Sequence, residues 1–142
     1  MTNKQQRFFN IAKEICHLSN FYRAKVGAIV VHGNCILSSA CNSQKTRPLQ
    51  HQYNKYRHFE NYEESIACEH AEIAALSPLI GKEINWNVVS VYVYRELKDG
   101  SRGCSRPCTA CLHLIHDLGI KTIYYVNENG DYTKEKIILT SI

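Results

Sequence analysis

Apolar residues at Phe8, Ile11, Ala12, Ile15, Cys16 and Leu18 recur at intervals of three and four. That is the stripe of an amphipathic helix lying on a core, and it predicts a helix over about residues 3–18. Two β-forming runs follow, residues 26–31 and 35–41, separated by His32-Gly33-Asn34. The spacing and the turn residues predict an antiparallel hairpin. Residues 43–64 lose periodicity and become polar, basic and aromatic, so they read as a long loop of the kind a compact domain rarely keeps without a use. Ala71, Ile73, Ala74, Ala75 and Leu76 then predict a buried helix from about Cys68 to Leu79, ended by Pro78 and Gly81. Residues 88–94 are almost all β-formers, as a mid-sheet strand covered on both faces requires. After a loop over 95–106, Cys108, Cys111, Leu112, Ile115 and Leu118 share one helical face, with Pro107 before the run and Gly119 after it. Residues 121–126 predict a further strand and 127–130 a turn, and 132–139 reads equally as a returning strand or a short helix.

The order α, β, β, α, β, α, β mixes a hairpin with strand-helix-strand crossovers, which need parallel pairing. It predicts an α/β fold, a three-layer α/β/α sandwich on a mixed sheet of about five strands. The chain has 142 residues, 44% of them hydrophobic, enough for one domain with its own core, so residues 1–142 are read as a single domain. No apolar run approaches the ~20 residues a membrane helix needs, and the first residues lack the order of a secretion signal, so a cytoplasmic protein without membrane contact is expected. In that setting seven cysteines suggest metal ligation and buried thiols rather than a disulfide framework. Cys16, Cys35 and Cys41 fall in apolar stripes and are expected in the core. The net charge of +4 would tolerate an anionic ligand but is too small to argue for a nucleic-acid groove.

Two short strings carry chemistry: His70-Ala71-Glu72 and Pro107-Cys108-Thr109-Ala110-Cys111, each opening a predicted helix. Cys108 and Cys111, three apart, can turn both sulfurs to one ion, and His70 would supply a third ligand from the facing helix. Three protein ligands on Zn²⁺ leave the fourth tetrahedral position open, the mark of a catalytic rather than a structural site. Glu72 is then the acid/base, beside two thiolates and a neutral imidazole that cancel the charge of the ion. Positions i and i+2 of a helix lie about 200° apart, so His70 and Glu72 must straddle its first turn to face one point. Backbone N–H groups at that helix start, Ala71 among them, would be available to a substrate carbonyl.

The two strings together resemble the signature of the cytidine and deoxycytidylate deaminase superfamily, as does the order hairpin, His-Ala-Glu helix, strand, Pro-Cys-x-x-Cys helix, strand. The resemblance covers most of the chain. It implies a cytidine deaminase-like fold, one catalytic Zn²⁺ on His70, Cys108 and Cys111, and Glu72 shuttling protons as cytosine is hydrolysed at C4 to a uracil product and ammonia. It also implies a sugar contact by Asn42, at the end of the second strand, and a backbone contact to the base from Ser105. Three features depart from the family pattern. The usual Gly-Tyr-Asn-Gly is here Ala40-Cys41-Asn42-Ser43, the loop before Pro107 is longer, and the short tail leads one to expect a hairpin at 127–130, as in free-nucleoside deaminases. Relatives of this fold are usually oligomers, so a homo-oligomer is expected.

Residues 42–62 hold Lys45, Arg47, Lys55 and Arg57 among Tyr53, Tyr56, Phe59 and Tyr62. Arg47 or Lys45 there could bind a 5′-phosphate. The leading expectation is therefore hydrolysis of dCMP or CMP ahead of the free nucleoside. A deaminase acting within single-stranded nucleic acid is the second reading, and a zinc-stabilised binding module without activity is the third. Cys104, four before Cys108, and Cys68, two before His70, either approach the metal or a second zinc site or are buried spectators, the last being the expectation, and His113 and His116 read as surface or packing residues.

Overall fold

The structure is a computed structural model that describes residues 1–21, 24–56 and 68–138. Helix α1 (Asn3–Cys16) opens on a capping box: the Gln5 N–H donates to the Thr2 hydroxyl and the Thr2 N–H to the Gln5 side chain, both at 3.1 Å. Strands β1 (Ala24–His32) and β2 (Cys35–Cys41) form the expected antiparallel hairpin, with a register shift at Val30/Val31. Helix α2 (Pro48–Asn54) lies inside the segment that reads as loop, the first correction to the sequence reading. Helix α3 is Ala71–Leu76, shorter than the periodicity predicts at both ends: Glu69 bridges to Ser43 and His70 is extended before it, and a 3₁₀ turn at Ser77–Leu79 replaces its end. Strand β3 (Val89–Leu97) runs three residues past the β-forming string, held by pairing with β1 as far as Ala24↔Leu97. Helix α4 (Thr109–Leu118) stops at Gly119, whose φ of 96° gives the left-handed cap. Strands β4 (Thr122–Val126) and β5 (Tyr132–Lys136) pair antiparallel, so the last segment is a returning strand.

The sheet order is β2-β1-β3-β4-β5, with β3 and β4 the parallel pair joined through α4. Alternation along the strands divides the core in two. Ala28, Val30, Val89, Val91, Val93, Ile123 and Tyr125 meet α3 and α4 on one face. Ile29, Val31, Tyr92, Tyr94, Tyr124 and Val126 meet Phe8, Phe9, Ala12 and Cys16 of α1 on the other. The three-layer sandwich is thus as expected. Gly27 lets α1 lie directly on β1, since a methyl group there would fall 2.5 Å from the Cys16 nitrogen and closer still to the Ala12 carbonyl oxygen. Cys16 is buried as expected and Cys41 partly so, but Cys35 is exposed, because it starts the edge strand just beyond the turn. No helix among the described residues is long and apolar enough to cross a membrane.

Candidate active site

His70 is not a helical residue but the N-cap of α3, in extended backbone with ψ 145°, and Glu72 lies in the first turn. This change of backbone is what lets an i, i+2 pair straddle the helix start. Cys108 is likewise the extended N-cap of α4, ψ 170°, with Cys111 one turn on. The two caps bring three donors together: His70 Nδ1 is 3.3 Å from the Cys108 sulfur and 3.4 Å from the Cys111 sulfur, and the sulfurs are 3.7 Å apart. A tetrahedral ion with bonds of ~2.3 Å to sulfur and ~2.0 Å to nitrogen has edges of roughly 3.5–3.8 Å, so the donors fit Zn²⁺ almost without movement. His70, Cys108 and Cys111 form a group that could hold a metal ion.

Charge is strongly coupled in this cluster. Cys108 is held well below the usual thiol range by the hydrogen bond it shares with Cys111 and by the imidazole. Burial pushes the Cys111 thiol up, and the neighbouring Cys108 and Glu72 add to the effect. Burial disfavours a charged His70, yet hydrogen bonds with Cys108 and Cys68 and the negative charge of Cys108 and Glu72 outweigh it and raise His70 to about 10. Closing on a divalent cation would therefore release protons from the donors. Glu72 is buried, which pushes its carboxyl up, and its side chain hydrogen-bonds to Cys111. A carboxyl so placed is able both to take and to give a proton.

The other candidates lie around this cluster. Ala71 is fully buried and follows His70 directly. Asn42 has its side chain engaged inside the fold: Oδ1 accepts from the Ser19 hydroxyl at 2.6 Å and the Val26 N–H at 2.9 Å, and Nδ2 donates to the Ala24 carbonyl at 2.9 Å. Ser105 is also committed, its N–H to Val126 O at 2.9 Å and its hydroxyl to Val93 O at 2.7 Å, so contact with a ligand falls to its carbonyl. Arg47 precedes α2, is largely exposed, and meets Glu69 Oε2 at 3.2 Å through Nε. Lys45 is exposed, and Lys55 lies 5.0 Å over the Tyr56 ring. Arg57, Phe59 and Tyr62 lie outside the described residues.

Sequence reasoning missed Gln50 and Glu69. Gln50 is fully buried and accepts the His70 N–H at 2.9 Å, and Glu69 is buried beside Arg47. Pro48, at the first position of α2, was the local signal for the helix that carries Gln50; nothing in the sequence singles out Glu69. His113 stacks on Tyr56 at 3.7 Å, a packing role as expected. Cys16, His17 and Glu96 form a second group of metal-ligating types. There His17 Nε2 and Glu96 Oε2 already pair at 3.1 Å.

Residues 2–127 match the model of the family described as the cytidine and deoxycytidylate deaminase zinc-binding region. The fold is similar to that of a cytidine deaminase from Burkholderia pseudomallei: TM-score 0.62 and 20% identity, over 96% of this chain and 93% of that one. It is also similar to the dCMP deaminase of the cyanophage S-TIM5 in apo form, TM-score 0.63 and 24% identity, over 90% of this chain and 86% of that one. The same phage enzyme in complex with dCMP and dUMP gives TM-score 0.62 at 24% identity, over 90% and 85%. No sequence among the curated proteins matches the chain.

Proposed function

The chain belongs to the cytidine and deoxycytidylate deaminase zinc-binding family, and on that premise we propose that it hydrolyses a cytosine nucleotide, dCMP or CMP, to the uracil nucleotide and ammonia. The observation that carries the proposal is the triad of His70, Cys108 and Cys111, with donor separations of 3.3 to 3.7 Å, next to the buried carboxyl of Glu72. His70, Cys108 and Cys111 would hold one Zn²⁺, which when bound polarises water for attack on the base. Glu72 takes a proton from the attacking water, delivers it to N3 of cytosine, and assists departure of the C4 amino group. Water and the cytosine ring are consumed and the uracil ring and ammonia are formed, so no oxidant or second substrate is needed. Ala71 N–H and the Ser105 carbonyl flank the ligands and are the backbone groups assigned to the base. Asn42 supports the sugar-binding end of β2.

A nucleotide is favoured over a free nucleoside because Arg47, exposed and one residue before α2, carries a guanidinium whose Nε pairs with Glu69, the residue before His70. The fold neighbour described in complex with dCMP and dUMP supports the same substrate class. This reading puts the enzyme in the cytosol, acting on the nucleotide pool as a homo-oligomer. The test is Glu72→Ala. It should keep zinc at parental stoichiometry and lose about 10²- to 10⁴-fold in turnover, the usual worth of a general acid-base. A variant that deaminates at the parental rate would remove Glu72 from the mechanism.

A further inference from the structure

Helix α2 contacts His70 on one side and, on the other, the helix that carries Cys111. Toward His70, its residue Gln50 accepts the His70 N–H at 2.9 Å through Oε1 and donates through Nε2 to Asn54 Oδ1 at 2.8 Å. The segment leading into α2 grips the residues before His70 as well. Ser43 and Glu69 exchange backbone hydrogen bonds at 3.1 and 2.9 Å, Thr46 donates to the Cys68 carbonyl at 3.3 Å, and Arg47 pairs with Glu69. Toward the cysteines, Tyr53 donates its hydroxyl to Asp117 Oδ2 at 2.8 Å, and Tyr56, just past α2, stacks on His113. Asp117 and His113 both belong to α4, the helix that starts at Cys108 and carries Cys111.

His70 sits in extended backbone ahead of α3, so the helix ladder does not fix its N–H. A buried amide accepts that N–H instead, and the same helix is pinned to α4 three residues on. We propose that α2 is a strut that sets the spacing of the metal donors, with Gln50 the positioning residue for His70 and Tyr53 its counterpart toward the cysteines. The inference rests on His70, Cys108 and Cys111 holding zinc. It adds that their affinity for the ion depends on residues that touch neither ion nor substrate.

The experiment is equilibrium competition for zinc between the full-length zinc-loaded protein and a chromophoric chelator, with thermal unfolding measured alongside. Gln50→Met keeps the volume and removes the acceptor; zinc affinity should fall by on the order of ten- to a hundredfold, the range for groups that hold a ligand in place. Gln50→Glu keeps an acceptor for the His70 N–H and should retain affinity within a few-fold. Tyr53→Phe removes one oxygen and should weaken zinc severalfold, which carries the test if Gln50→Met does not fold. A purely structural role would lower the melting temperature and leave zinc affinity at the parental value, and that result for Gln50→Met or Tyr53→Phe overturns the proposal. So does an equal loss in Gln50→Glu and Gln50→Met. Failure of the parent itself to take up zinc would instead overturn the reading of the triad, and the strut with it.

Discussion

Asn42→Ala separates a structural role from a substrate contact at one residue. In the structure the Asn42 side chain closes the end of the β1–β2 hairpin, and its removal strands the Val26 N–H and the Ala24 carbonyl. Each stranded buried group costs about 1–3 kcal/mol, and Val26 is only partly buried, so the sum is about 3 kcal/mol. For a chain of this length 1 kcal/mol moves the melting temperature by roughly 2–4 °C, which gives a fall of about 10 °C. Thermal unfolding of zinc-loaded parent and variant measures it. Ser19→Ala adds a check, because the Ser19 hydroxyl donates to Asn42 Oδ1 and the double variant should lose less than the two singles together. An Asn42→Ala protein that melts within about 2 °C of the parent and loses substrate affinity more than tenfold would refute the reasoning, and would move the side chain from the hairpin to the substrate.

Three other outcomes follow from particular contacts. Gly27→Ala forces a methyl group against the Ala12 carbonyl and the Cys16 nitrogen and should cost about 3 kcal/mol in urea unfolding; a parental midpoint would contradict the close packing of α1 on β1. Glu135 is held below its ordinary 4.5 chiefly by its hydrogen bond to Arg106, two residues before Cys108. A carboxylate with a depressed pKa contributes stability that is complete above its unfolded value and lost as pH falls through the folded one. Stability should therefore drop more steeply below about pH 4.5 in the parent than in Glu135→Gln, and parallel curves would dismiss the pair. Arg47→Gln should raise KM for dCMP on the order of tenfold and leave KM for deoxycytidine unchanged; equal effects on both would take the phosphate away from Arg47.

The hairpin, the central strand and α4 were legible because their signals are local: alternation, turn residues, and Pro107 and Gly119 as punctuation. The metal cluster was legible because two strings of the right residue types each open a helix. Helix α2 was not, for a physical reason. Two of its three buried residues, Gln50 and Asn54, are polar and bonded to each other, and the third, Tyr53, joins the core while donating to Asp117. The apolar stripe here is only Leu49, Tyr53 and Tyr56, two of them aromatic and set among basic and polar residues, too short a run for the periodicity to stand out. The exposure of Cys35 was missed in the opposite way: an apolar string predicts a strand but not that the strand lies at the edge of its sheet. The commitment of Asn42 to Ser19, Val26 and Ala24 depends on three backbone segments meeting, which no local pattern announces.

The central claim is tested most directly by the mass of the product after zinc-loaded protein, with Glu72→Ala as control, is incubated separately with dCMP, CMP, cytidine and a cytosine-containing single strand. The account predicts that dCMP or CMP gains about one mass unit, as oxygen replaces the amino group, and that the Glu72→Ala protein leaves it unchanged. Conversion of the single strand alone, or of nothing by a zinc-replete protein, would contradict it.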